Sequence, residues 1–107
     1  MRDFKNSLLA DEDLVGSFEY GLEEWGYEQA LKYKEELEKG RDKIRNDPFL
    51  VNSKSREELA EGCRSYRVNN YYYFYKVSND DSSILIARVL HERMNFPDHI
   101  RKEYFPE

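Results

Sequence analysis

The chain has 107 residues, 22 of them acidic and 17 basic, for a net charge of −5. That length predicts one domain, residues 1–107, with one modest core, and the acidic balance argues against non-specific or direct sequence-specific nucleic-acid binding, because phosphate is repelled. No apolar run reaches the ~20 residues of a membrane helix, the N-terminal residues lack a signal-type apolar core, so a cytosolic protein is expected, and a lone cysteine, Cys63, argues against a disulfide scaffold or a Cys-rich metal site.

Arg2 to Asn6 reads as a short edge strand in which only Phe4 is strongly apolar. Ser7 to Trp25 reads as a helix: Leu14, Phe18, Leu22 and Trp25 recur at helical spacing, and Asp11, Glu12 and Asp13 crowd the first turn, where the dipole favours acids. Gly26 ends it as a C-cap residue, and Trp25 is expected to anchor the core at the bend. Tyr27 to Asn46 reads as a second helix, with Ala30, Tyr33, Leu37 and Ile44 on one stripe and Lys and Glu elsewhere. Gly40 weakens it by about 1 kcal/mol, and Asp47-Pro48 stops it. The short link at Gly26 makes the pair an antiparallel hairpin.

In the segment that follows, Ser55 with Glu58 three residues later suggests a capped helical turn. Cys63 to Val68 and Tyr71 to Val77 read as strands joined at Asn69-Asn70, residues that tolerate positive φ. Asn79 to Ser83 turns the chain again. The run from Ile84 then reads as a strand buried on both faces and hence central in its sheet, interrupted by Arg88 and followed by His91 and Arg93. Phe96 to Ile100 reads as a short helix or extended tail. The order β-α-α-β-β-β is an α+β fold, with two helices across a mostly antiparallel sheet.

Charge is unevenly distributed. From Asp11 to Asp47 there are 12 acidic and 6 basic residues, whereas from Lys54 to Lys102 there are 9 basic and 7 acidic. Arg64, Arg67, Arg88 and Arg93 all fall in the second half and could share one face. Tyr71, Tyr72, Tyr73 and Tyr75 alternate across a strand, one face of which is expected to pack on the helices and the other to be open to a partner. Tyr71, Tyr73 and Tyr75, with Arg88 and Arg93, are the partner-binding candidates; Arg88 inside a strand needs a counter-charge. His91 and His99 lack the spacing and third ligand of a metal site, so neither metal nor cofactor is expected.

Several ordered matches resemble the ParE toxins of the RelE/ParE toxin–antitoxin superfamily. They are Asp13-Leu14 and Tyr20, Trp25-Gly26 with Gln29-Ala30, Tyr33, Leu37 and Pro48, then Glu58-Leu59, Gly62, Arg64 and Tyr66, then Phe74-Tyr75-Lys76-Val77, and Arg88-Val89-Leu90-His91-Glu92-Arg93-Met94. The chain departs from the family at Asn6, where an apolar residue is the rule, and in being acidic. The resemblance implies a RelE/ParE-like fold, a cognate ParD-like or other antitoxin whose C-terminal segment wraps the toxin, and, for gyrase-directed members, poisoning of DNA gyrase without catalysis. For the RNase members of the superfamily it implies the alternative of mRNA cleavage, for which Arg64, Arg67 and His91 are the candidate residues. A third alternative is an inactive relic that only binds antitoxin.

Overall fold

The computed structural model describes residues 3–100. Strand β1 (Asp3–Asn6) leads into helix α1 (Leu8–Trp25) and helix α2 (Tyr27–Asn46), followed by strands β2 (Lys54–Ser55), β3 (Cys63–Val68), β4 (Tyr71–Val77) and β5 (Ser83–His91) and a single helical turn, α3 (Phe96–His99). The sheet order is β1-β5-β4-β3-β2, with β1 parallel to β5 and every other pair antiparallel. β5 is therefore interior, as its apolar run predicts, between β1 and β4. The middle position belongs to β4, the strand richest in aromatics.

Local chemistry explains the boundaries. Ser7 caps α1: its Oγ accepts the Ala10 N–H at 3.0 Å and donates to the Ala87 carbonyl at 2.6 Å, tying the helix start to β5. Gly26, at φ 87°, donates its N–H to Leu22 O, and its own carbonyl accepts from Ala30. One residue thus ends α1 and starts α2, a conformation that suits glycine. Two elements differ from expectation. Ser55 belongs to β2, paired with Arg64, so it caps nothing; the turn after it is closed by Leu59 and Ala60 N–H groups bonding to the Arg56 carbonyl. Trp25 is no core anchor. It is 48 % exposed, stacked on Tyr33 at 5.1 Å with Tyr20 edge-on at 5.8 Å.

Two cores lie on the two faces of the sheet. Under the helices sit Ala10, Leu37, Ile44, Tyr73, Tyr75, Ile84, Ile86 and Val89. On the other face Cys63, Phe74, Ala87 and Leu90 are covered by Ala60 and Ile100, with Leu59, Tyr72 and Phe96 packed around them. A strand interior to such a sheet is apolar on both sides, which is why β5 reads as a continuous run. Ile86 and Val89 share the helix-side core, yet three residues separate them, an odd number that normally puts side chains on opposite faces. A bulge resolves the mismatch: Phe74 pairs with Arg88 but Tyr75 pairs with Ile86, leaving Ala87 as the extra residue.

The bulge is held from outside the sheet. The Asp13 carboxylate on α1 accepts Arg88 Nε at 2.8 Å and Nη2 at 2.9 Å, and also the Val89 backbone N–H at 2.9 Å. Arg88 Nη1 donates further to the His99 carbonyl at 3.1 Å, drawing α3 in. The charge inside the strand is thus paired and hydrogen-bonded, the condition for burying it.

A candidate partner-binding groove

α1 and α2 touch where Gly21 faces Ala30: a Cβ at Gly21 would lie 3.3 Å from the Ala30 Cβ. From that pinch a groove of about 500 Å³ runs toward Asp11 and Arg41. Its walls are Leu14, Val15 and Phe18 of α1 and Tyr33 and Leu37 of α2, Tyr71 and Tyr73 of β4 line it too, and Trp25 stands at the pinch. A second cleft, of about 490 Å³, lies on the other side of α1, lined by Gly16, Tyr20, Tyr71, Val89, His91, Arg93 and Met94 among others. Ser17 and Tyr71 line both, so α1 is a rib between two depressions. Burial raises the Tyr71 phenol pKa, with Tyr20 and Tyr33 adding to the shift, so it stays protonated at neutral pH.

The candidate residues divide sharply. Tyr71 lines both depressions and meets the His91 ring edge-on at 5.2 Å. Arg93 is exposed, lines the second cleft, and its side chain makes no hydrogen bond or ion pair among the described residues. Tyr73, Tyr75 and Arg88 are corrections to the sequence reading. The two tyrosines are at most 1 % exposed, their hydroxyls donating to Leu37 O at 2.7 Å and Pro48 O at 2.5 Å. Their face is the packed face, not the open one, and Arg88 is committed to Asp13. None of the three offers its side chain to a partner.

Nor do the arginines converge. Arg64 sits on the helix side of β3, donates to Ser53 Oγ at 2.7 Å and stands 5.0 Å from the Phe49 ring. Arg67 points to the other face, pairing with Glu92 at 3.0 Å and standing 5.9 Å from the Tyr72 ring. Arg64 is opposite Tyr75 and His91 is opposite Tyr71, four residues apart along β4, or about 13 Å at strand rise. Arg64, Arg67 and His91 therefore occupy different faces or different ends of the sheet. The His91 Nδ1 accepts the Arg93 N–H at 3.1 Å, bracing the turn after β5. Among the described residues no cluster of three metal-ligating side chains occurs, and no helix is long and apolar enough to cross a membrane.

The family model for the ParE toxin of the type II toxin–antitoxin system parDE matches residues 5–96. The chain belongs to the ParE toxin family. It is 31 % identical over 100 residues to toxin ParE1 of Caulobacter vibrioides, spanning 94 % of this chain and 99 % of that one. It is 32 % identical over 88 residues to toxin ParE of Escherichia coli, spanning 80 % and 81 %. Among solved structures, the chromosomal ParDE system of P. aeruginosa matches with a TM-score of 0.66 at 19 % identity, over 85 % of this chain and 96 % of that one. The RelBE2 toxin–antitoxin complex of Mycobacterium tuberculosis matches at 0.57 and 22 %, over 84 % and 96 %. These likenesses carry the fold. The ParE reading of the sequence and its α+β arrangement both hold.

Sequence reasoning missed Tyr33, Tyr20 and Val15 as surface-shaping residues, and placed Trp25 inside. The signal was present: Leu8, Val15 and Leu22 recur at seven-residue intervals and stay 75, 58 and 40 % exposed, a seam that a helix presents along one side.

Proposed function

We propose that this ParE-family chain is a growth-inhibiting toxin, held inactive by a cognate ParD-like antitoxin and acting inside the cell on DNA gyrase by protein contact. The supporting observation is the groove between α1 and α2, an apolar trough with a half-exposed Trp25 at its closed end. Its apolar lining suits the apolar face of an amphipathic helix. The second cleft offers Arg93 to a carboxylate of the same or another partner. Gyrase as the target rests on kinship with the family, and the separation of Arg64, Arg67 and His91 favours protein contact over RNA cleavage. Such a pair, encoded on a plasmid, would stabilise it, because cells that lose the genes lose the shorter-lived antitoxin.

The test has two arms. Induced alone, the toxin arrests growth; co-expression of the small neighbouring gene restores it. Purified toxin added to a supercoiling reaction inhibits gyrase and traps cleaved DNA. If mRNA is cut instead, and His91→Ala abolishes cutting, the RNase reading replaces this one. If growth and gyrase are both untouched while the neighbour's product binds, the chain is a relic.

A further inference from the structure

α1 carries six carboxylates, Asp11, Glu12, Asp13, Glu19, Glu23 and Glu24, and no lysine or arginine. Asp11 and Glu19 line the groove, whereas Glu12 and Asp13 line the second cleft. Asp11 and Glu19 are both exposed; Asp11 accepts the Asn6 side-chain amide at 3.0 Å, and Glu19 has no hydrogen-bond or ion-pair partner among the described residues. The α2 bank differs: Lys34 and Arg41 line the groove beside Glu38, close to balance.

We infer that the groove's occupant is an amphipathic helix whose flank facing α1 is basic, with lysine or arginine set against Asp11 and Glu19 and apolar residues in the Val15, Phe18 and Trp25 trough. The inference rests on the antitoxin reading and specifies the charge of the segment that reading brings to the groove. A second copy of this chain is a poor occupant, because α1 against α1 would set carboxylates against carboxylates. A uniformly acidic helix meets the same repulsion. Like charges without a counter-ion, set beside an exposed apolar seam, are a selectivity device: they admit partners of opposite charge and reject the rest.

Trp25 is the only tryptophan, so its emission reports occupancy directly. Three designed helical peptides of 18 residues, the length of α1, share one leucine seam. One carries Lys on one flank and Glu on the other, one Lys on both, and one Glu on both. At low salt the two lysine-bearing peptides shift Trp25 emission at concentrations about tenfold lower than the all-Glu peptide, as two exposed ion pairs allow. The gap closes near 1 M salt, where the screening length is about 3 Å. The variant Asp11→Lys/Glu19→Lys, altered only at exposed sites, reverses the order. Equal or tighter binding of the all-Glu peptide overturns the inference. So does an unchanged order in the double variant, Trp25 emission that none of the peptides moves, or a toxin dimer that Val15→Glu dissociates. Neutralisation of growth arrest by the neighbouring gene is a separate readout, so the antitoxin reading survives or falls independently of the peptide order.

Discussion

Asp13 grips Arg88 with both carboxylate oxygens, at 2.8 and 2.9 Å, across 75 residues of sequence. The same carboxylate accepts the Val89 N–H, two residues past the unpaired Ala87. One side chain on α1 thereby fixes where the strand changes phase. Asp13→Ala leaves a guanidinium and a backbone donor stranded, with both partners' side chains only 13–14 % exposed, and should destabilise the fold by about 3–5 kcal/mol in urea unfolding. Asp13→Asn keeps one acceptor oxygen, while its NH2 meets donors where the second oxygen stood, and should lose less than the alanine variant. Equal losses for the two variants would show that the charge contributes most of the effect.

Two glycines in helices should respond to alanine with opposite signs. A Cβ at Gly40 would meet Val68 Cγ2 at 2.4 Å, whereas Gly16 has nothing within 4 Å. Gly40→Ala should therefore destabilise by about 1–3 kcal/mol despite better helix propensity. Gly16→Ala should stabilise by up to about 1 kcal/mol. Thermal melts of the two variants check the signs directly.

The buried tyrosines predict an alkaline weakness. Burial pushes the Tyr73 phenol far above its ordinary value, with Arg41 opposing and Glu38 and Asp42 adding to the rise. It pushes Tyr75 up as well. Both are protonated in the folded state where the unfolded chain would already ionise. Unfolding then releases protons, so their contribution is complete below about pH 10 and is lost as pH climbs toward the folded value. Tyr73→Phe should flatten that decline, while removing one hydroxyl–carbonyl bond at a loss of about 1–2 kcal/mol near neutral pH. Unfolding midpoints measured from pH 8 to pH 11 test both statements.

Cys63 should be inert. It is fully buried, and burial, with Glu58 adding and Arg56 opposing, raises its thiol to about 12. Thiolate is the reactive form. At pH 8 a disulfide reagent should label it only at the rate of unfolding, and labelling in urea should track the unfolding transition.

Arg93 should separate binding from stability. Its side chain is exposed and unpaired among the described residues, so Arg93→Ala should change stability by less than about 0.5 kcal/mol. Calorimetric titration with the neighbouring gene's product, or with gyrase, should show a weaker complex with at least one of them. Unchanged affinity for both would remove Arg93 from either interface.

The elements were legible because each had a local cause: acidic residues in a helix's first turn, a hinge glycine, Asn69-Asn70 at a turn, an apolar run bounded by a polar cluster. The bulge at Ala87 was not, because it exists through Asp13, and nothing local in Ser83–His91 announces an extra residue. Alternation along β4 puts Tyr71, Tyr73 and Tyr75 on one face, but it does not say that this is the face the helices cover. Trp25 was misplaced for a related reason: helical spacing puts it on the apolar arc with Leu14 and Phe18, but not how far that arc extends beyond the contact with α2. Arg88 shows the opposite case, where the burial cost of a charge pointed correctly to a counter-ion.

β1 is the outer parallel strand, and the neighbour it requires begins at Ser83. On a ribosome, the hairpin of α1 and α2 emerges early and can form from its own residues, since helices need no distant pairing. The sheet beneath it cannot close, and Asp13 cannot meet Arg88, until synthesis has passed β5. During that interval the nascent chain displays the α1 seam without its floor, a stretch of time in which a waiting antitoxin could capture the toxin before it is complete.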